Sequence, residues 1–364
     1  MKIIDKYIVK NFISTFIFMV LILSSIAIII DLSQKLARIN DSGSTATEAL
    51  LYFYPFWGVW IVNTFLPIAV FITVIYFTSR LTDLTEIVAI QAGGVSFYRF
   101  TLPYIWVSLF LAGSAMLMNN LVLPWANIKK NAYQYEHLLN SRDREDYYKR
   151  QRVGSQISPN EFVFIDSYDR IEKLGNAFTY QRFDSTVLKE QIIASAFDWN
   201  EKDQTYELRN VYTRIINKDN TENIDYQPSI NKKFAATPDE ILPEGYVAET
   251  MNTFELRDFI ESQKLKGSAN VNAYQNELNL RLANPFSTII LTILALSLSS
   301  QKRRGGIGIN LAVGITLAFV YIFFTQITSS FSEKGFVSPF VAAWIPNIVF
   351  GILTAVLYYK RAKI

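Results

Sequence analysis

The sequence predicts an α-helical membrane protein with six transmembrane helices and an inserted all-β, jelly-roll-like domain between helices three and four. Three observations carry this prediction. Half of the 364 residues are hydrophobic and only 18% are charged, against about a quarter in soluble domains. Six apolar runs are each long enough to cross a bilayer, which takes about 20 helical residues. Between the third and fourth runs, charges and turn residues become frequent, and short stretches alternate apolar with polar in the strand period. The absence of cysteine excludes disulfides, thiolate zinc sites and cysteine nucleophiles.

Taken in order, Lys2, Lys6 and Lys10 precede an apolar run over residues 11–30. That run exceeds the ~7–15-residue core of a signal peptide and no small-residue cleavage pattern follows, so it reads as an uncleaved first span. Residues 31–48 are polar. The second span covers 53–77, with Trp57 and Trp60 as interface anchors. Pro67 lies mid-span, where neighbouring groups can satisfy the freed carbonyl. The third span covers 100–123. Strands are expected at 161–166, 177–183, 191–199 and 206–216, in a region of about 120 residues that can bury its own core. An amphipathic helix follows at 253–264. After a break at Gly267 a second helix leads into the fourth span, 285–298. Lys302, Arg303 and Arg304 form a tight basic loop before the fifth and sixth spans, 307–327 and 339–358.

The N-terminus, the loop at 79–99, the 302–304 loop and the tail with Lys360, Arg361 and Lys363 carry most of the short-loop cations. By the positive-inside rule these lie in the cytoplasm, which puts both termini inside and the β domain outside. The chain divides as 1–128 (three spans), 129–252 (β domain) and 253–364 (linker helix and three spans).

The stretch 79–99 holds a helix of its own. Asp83 and Glu86 have capping-box spacing, 84–91 can be helical, and Gly93 and Gly94 end the run. About nine helical residues reach roughly 14 Å, too short to span. An apolar helix of that length at a membrane surface lies in the interface or docks into something.

Motifs for chemistry are sparse. Gly305-Gly306-Ile307-Gly308 lacks the Lys-Ser/Thr pair of a phosphate-binding loop. His137 is the only histidine, so neither a multi-histidine metal site nor a serine triad is supported, and it reads as a solvated side chain. No catalytic or metal-binding residue is expected. Ionisable residues are nearly absent from the apolar cores, which argues against an ion-coupled transporter. Asn119, Asn120, Asn310, Gln326 and Asn347 read as interhelical hydrogen-bonding groups, and Asn310, Gly314 and Ala318 share a face suited to close packing, as do Asn347, Gly351 and Ala355. Lys35 and Arg38, three apart near the outer end of the first span, read as snorkelling cations or as a pair that grips anionic headgroups.

Several patterns together resemble the LptF/LptG (YjgP/YjgQ) family, the permeases of the lipopolysaccharide-export ABC transporter. They are Ser33-Gln34-Lys35-Leu36-Ala37-Arg38-Ile39, Thr85-Glu86-Ile87-Val88-Ala89-Ile90-Gln91-Ala92-Gly93-Gly94, and Asn120-Leu121-Val122-Leu123-Pro124-Trp125-Ala126-Asn127. Phe254-Glu255-Leu256-Arg257 with Tyr274, Glu277, Arg281 and Pro285-Phe286 completes the ordered set. The Gln34–Ile39 pattern leans toward the F-type subunit, and F versus G is left open. The resemblance implies a periplasmic jelly roll that passes lipopolysaccharide to a protein bridge. It implies a heterodimer with the paralogous permease in the inner membrane, and a cytoplasmic ATPase dimer that binds ATP and docks on the short helix between spans two and three. The chain would hold no cofactor and would not be an enzyme by itself. On matching positions, Lys35 and Arg38 would contact the glycolipid, while Asp83, Glu86, Ile87 and Gln91 would serve ATPase coupling. The rival readings are a permease for another lipid or a lipoprotein, and a non-transporting membrane scaffold. Co-purification with an ATPase separates the scaffold from the others.

Overall fold

The computed structural model describes residues 2–138, 153–169, 172–217, 219, 221–241, 247–266, 268, 270–302 and 306–363. In chain order the elements are α1 (Ile3–Asp41), α2 (Ala46–Tyr52), α3 (Tyr54–Asp83), α4 (Glu86–Ala92), α5 (Phe97–Leu121) and α6 (Leu123–Tyr133). Then come β1 (Val153–Ser158), β2 (Glu161–Asp169), β3 (Leu174–Asp184), β4 (Val187–Asn200), β5 (Thr205–Ile216) and β6 (Glu222–Lys232). The chain returns through α7 (Pro238–Ile241), α8 (Val247–Thr250) and α9 (Thr253–Leu265) to α10 (Val271–Ser299), α11 (Gly306–Glu333) and α12 (Pro339–Ala362). It divides into two compact units. One comprises Met1–Leu138, Ala248–Leu256 and Asn272–Ile364, the other Leu139–Val247 and Arg257–Val271. The residues 253–264, grouped by sequence with the later spans, are thus divided, and most belong to the β unit. There the Gln156 N–H donates to the Lys266 carbonyl at 3.0 Å.

In the helical unit, α1, α3, α5, α10, α11 and α12 are long and apolar enough to cross a membrane. The spans lie where the apolar runs predict them, but the helices outlast the runs. α1 continues through the polar residues 31–41 because residues 3–41 contain neither glycine nor proline. Its first stop is Ser42-Gly43, with Gly43 at φ +82°. Tyr104, Phe12, Phe71, Phe100 and Leu294 are fully buried at the centre of the bundle. The predicted interhelical bonds form at Asn310, which donates to Ser79 Oγ (3.0 Å), and at Asn347, which accepts from Tyr321 Oη (3.0 Å) and donates to the Ala283 carbonyl (2.8 Å). Gly314 permits the closest approach, since a Cβ there would lie 2.1 Å from Ile75 Cδ1. Two expectations need correction. Gln326 is exposed, and so is Ala355 on the Asn347 face.

The β unit is one six-stranded antiparallel sheet in the order β1-β2-β3-β4-β5-β6. A jelly roll pairs strands out of sequence order, whereas here every described strand pairs with its sequence neighbours. The connections explain why. β1 and β2 are joined by Pro159-Asn160 and β3 and β4 by Ser185-Thr186, and such short links make adjacent strands hairpins. The core lies on one face, with Val163, Phe178, Ile192, Phe197, Tyr206 and Val211 fully or almost fully buried. The four ladders from β2 to β6 all skip the same rung, the row Asp166, Ala177, Ser195, Asn210 and Pro228. Ala177 and Asn210 take φ +53° and +52° there, and Pro228 has no N–H to give. Across this row the inward face slips by one residue. Val163 and Ile165 are buried before it in β2 and Tyr168 after it; in β4, Ile192 and Ala194 precede it and Phe197 and Trp199 follow. A one-residue slip would otherwise turn half of each strand outward.

Candidate functional site

α4 is seven residues long, about 10 Å at ~1.5 Å per residue. It sits on a reversal between α3 and α5. The predicted capping box is not formed. Asp83 is the last residue of α3, and the N-cap of α4 is Thr85, at φ +60° and without a side-chain cap bond. A β-branched residue in the left-handed region is sterically unfavourable, so the helix start is a strained corner. The predicted stop does form. The Gly94 N–H donates to the Gln91 carbonyl (2.9 Å) and the Val95 N–H to the Ile90 carbonyl (3.4 Å), with Gly94 at φ +84°; these are the two bonds of a Schellman cap. The Ser96 hydroxyl, accepting from the Arg99 N–H at 3.3 Å, starts α5.

Of the four residues that the resemblance assigned to coupling, three are engaged by their own chain and Asp83 is exposed. Ile87 is 1% exposed in the core of the helical unit. Glu86 Oε2 accepts a hydrogen bond from Tyr7 Oη of α1 at 2.9 Å. Gln91 Oε1 accepts from Arg361 Nη2 of α12 at 3.5 Å. That guanidinium also donates to Ser300 Oγ (3.0 Å) and the Ser300 carbonyl (3.2 Å) and lies over the Phe97 ring at 4.8 Å. The Asp83 carboxylate stands beside Gly306, the first residue of α11, where a Cβ would meet Oδ2 at 3.3 Å; a negative charge there suits a helix N-terminus. The outward face is made instead by Leu84 and Val88, 58% and 59% exposed, with Ala89 and Ala92 also exposed. Leu84 is the C-cap of α3 and precedes the left-handed Thr85, so it belongs to the corner, while the exposed face of α4 itself is Val88, Ala89 and Ala92.

The second cluster lies at the opposite end of the spans. Lys35 and Arg38 do not form a matched pair of free cations. Lys35 Nζ pairs with Asp31 Oδ2 at 2.9 Å and lies over the Phe53 ring at 5.0 Å. Asp31 Oδ2 also accepts from Tyr54 Oη at 3.0 Å. Arg38 is exposed and stands outside this network.

Near them is a charge cluster to which the sequence reading gave no role. Lys130 Nζ is 3.3 Å from Glu249 Oε2 and 4.7 Å from the centre of the Trp60 ring. Arg281 Nε donates to Glu277 Oε1 (3.0 Å), Nη1 to the Met251 carbonyl (2.8 Å) and Nη2 to the Ala248 carbonyl (2.6 Å). Asn127 Nδ2 donates to the Glu249 carbonyl at 2.9 Å, and Asn120 Oδ1 accepts from the Thr253 N–H at 3.3 Å. Asn119 accepts from Asn63 Nδ2 at 2.7 Å and donates to the Arg281 carbonyl at 3.2 Å. These bonds gather residues 248–253 onto the ends of α5, α6 and α10. Burial pushes the Lys130 ammonium below its ordinary value, against the attraction of Glu249. Burial likewise pushes the Glu249 carboxyl up, and Lys130 only partly offsets this.

His137 is not solvated as expected. It is half-buried against Tyr133, ring centroids 4.5 Å apart. Among the described residues no group of three His, Asp or Glu side chains converges as a metal site would require.

With this geometry in hand, comparison with known proteins is informative. The family model described as lipopolysaccharide export system permease LptF/LptG matches residues 6–360. The lipopolysaccharide export system permease protein LptG of Escherichia coli strain K12 is 20% identical over 366 aligned residues, covering 99% of each chain. LptG of Escherichia coli O6:H1 strain CFT073 matches with the same identity and coverage.

Proposed function

The chain belongs to the LptF/LptG family of lipopolysaccharide export system permeases and is an integral membrane protein, and from that premise we propose that it is a permease subunit of an ATP-driven lipopolysaccharide exporter. In this reading it extracts lipopolysaccharide from the outer leaflet of the inner membrane and passes it to a periplasmic bridge. It does no chemistry itself and holds no cofactor; a cytoplasmic ABC ATPase dimer binds and hydrolyses ATP. The α4 end of the spans is then cytoplasmic, in keeping with Lys2, Lys6, Lys10, Arg80, Lys302, Lys360 and Lys363 at that end. The β unit is periplasmic and receives the lipid. The most apolar 18-residue stretch of α1 has no buried residue, and that of α11 only 22%, which leaves apolar faces for the paralogous permease and for acyl chains.

The observation that carries the reading is α4 itself. It is too short to span, its inner side is fixed by Ile87, and it turns Val88, Ala89 and Ala92 outward, with Leu84 exposed at the corner before it. In this reading docking falls on the exposed apolar face of α4, with Glu86 at its border. Affinity purification of the tagged chain from its native membrane, followed by protein and lipid mass spectrometry, tests the function. Recovery of an ABC ATPase, a second permease of this family and lipopolysaccharide is the expected result. A chain that purifies without any ATPase would overturn it.

A further inference from the structure

Among the described residues the helical unit buries three basic side chains, and one of them is treated differently. Lys130, Arg281 and Arg361 are 6%, 6% and 7% exposed. Lys130 pairs with Glu249 and Arg281 with Glu277. Arg361, near the end of α12, meets only neutral oxygens. Nε donates to Ser300 Oγ, and Nη2 to the Ser300 carbonyl and to Gln91 Oε1. The negative end of α10, which Ser300 closes, offsets part of the charge. Carbonyl bonds supplement a counter-ion and do not replace one: Arg281 has two of them and still carries Glu277. A buried cation without an anion is costly. Nη1 donates to none of the described residues, and it is not one of the enclosed polar atoms, so it is the edge of the guanidinium open to an outside group.

What stands beside that edge suits a phosphate. The guanidinium lies over the ring of Phe97, the first residue of α5, at 4.8 Å. The N–H groups of Phe97 and Tyr98 open a 25-residue helix and have no intrahelical acceptor, while Ser96 Oγ takes the N–H of Arg99. Such a helix start attracts oxyanions. Around it are rings. Tyr98 is 57% exposed and packs edge-on against Tyr358, 5.7 Å between centroids, and Tyr359 is also 57% exposed. Lys360 and Lys363 are exposed on the same end of α12. Tyrosines and cations at the end of a span mark the headgroup level of a bilayer. A carboxylate from a partner protein would answer the charge equally. The exposed tyrosines decide for lipid, because they close membrane-spanning helices, where lipid is the neighbour.

We propose that Arg361 and the start of α5 hold the phosphate of an anionic phospholipid. A headgroup of net negative charge is required, since the guanidinium is the unbalanced charge. The site lies at the opposite end of the spans from Lys35 and Arg38 and is separate from the lipid contacts implied there. Assigning it to the cytoplasmic leaflet rests on the topology proposed above; the binding itself does not.

The chain, purified in detergent and stripped of lipid, is titrated with phosphatidylglycerol and with phosphatidylethanolamine and read by native mass spectrometry. The wild type should hold phosphatidylglycerol about tenfold more tightly, as one charge-assisted bond provides. Arg361→Met should remove the preference. Lys334→Met, which takes the same charge from an exposed position, should keep it. An equal preference in the wild type and Arg361→Met overturns the proposal, and if that variant also loses an ATPase, Arg361 belongs to the partner protein instead. Arg361→Met also releases Ser300 and can fail to fold, so a second measurement uses the wild-type chain. A phosphatidylglycerol with a photoreactive group near its headgroup, in phosphatidylethanolamine nanodiscs, should label residues 97–98 and 358–361. Label spread evenly over the span ends overturns the site. Suppression of the label by inorganic phosphate assigns the site to free phosphate and overturns the lipid. Neither lipid measurement uses an ATPase, so a chain that purifies without one sinks the proposed function and leaves this inference to be decided by the lipid alone.

Discussion

The two ends of the helical unit are built from similar residues put to opposite use. At the β-unit end, Lys130, Glu249, Glu277 and Arg281 form two ion pairs whose cations are buried, with side-chain exposures of 7% and 5%. They are backed by carbonyl bonds to Ala248 and Met251. At the α4 end, Glu86 is held by one exposed hydrogen bond. A buried cation that loses its partner leaves uncompensated charge, so the first arrangement cannot open cheaply. An exposed carboxylate that loses a hydroxyl gains water. The first cluster is a permanent clasp on the segment returning from the β unit, and the second is a contact that can change with state.

The largest test of that contrast is Arg281→Met. It strands Glu277 and two backbone carbonyls, and breaking a buried pair on one side costs about 3–5 kcal/mol. Denaturant unfolding in detergent should show that loss, and a cost under about 1 kcal/mol would mean the clasp is ornamental. Lys130→Met should cost less, about 2 kcal/mol, because Lys130 makes one polar bond, to Glu249, where Arg281 makes three. It also has a signature in pH. Burial raises the Glu249 carboxyl above its ordinary value. The stability tied to its protonated form is therefore fully present below the ordinary carboxylate range and lost as pH rises through the raised value. Lys130 is what draws that value down, so Lys130→Met should carry the loss to higher pH, and Glu249→Gln should remove it. Unfolding free energies measured from pH 4 to pH 8 in the wild type and these two variants give the comparison.

The same contrast separates what could be read from the chain and what could not. The six spans were visible because each is a continuous apolar run. Their ends were not, because helix continuation through 31–41 depends on the mere absence of breakers. Four of the six strands showed alternation. β1 (VGSQIS) lacks it, and β6 is exposed on both faces over residues 222–229, so it has no apolar period to detect. The phase slip at Ala177 and Asn210 is a backbone event in residues that do not announce it. The α4 helix was marked by Gly93-Gly94, yet its start differs from the one the spacing predicts, because Asp83 and Glu86 have capping-box spacing while the N-cap is Thr85. The clasp joins Lys130 to Glu249 across 119 positions, and no local pattern encodes such a meeting.

The smallest expected change in stability carries the sharpest question about α4. Ile87 and Val88 are adjacent in sequence and about 100° apart around α4, yet they are 1% and 59% exposed. Val88→Asp places a charge where water already is, so stability should stay within about 0.5 kcal/mol of wild type. Ile87→Asp buries an unpaired carboxylate in the core and should unfold the α4 end. If the exposed face of Val88, Ala89 and Ala92 is the docking surface, Val88→Asp should nonetheless abolish recovery of an ATPase in pull-downs, since a carboxylate set into an apolar contact must be desolvated without a partner. Glu86→Gln, which leaves the stripe untouched, should reduce that recovery far less. Full recovery with Val88→Asp and loss with Glu86→Gln would return docking to the acidic residue and leave the exposed apolar stripe to the lipid surface. The pair of variants thus decides whether α4 binds by its apolar face or by its charge.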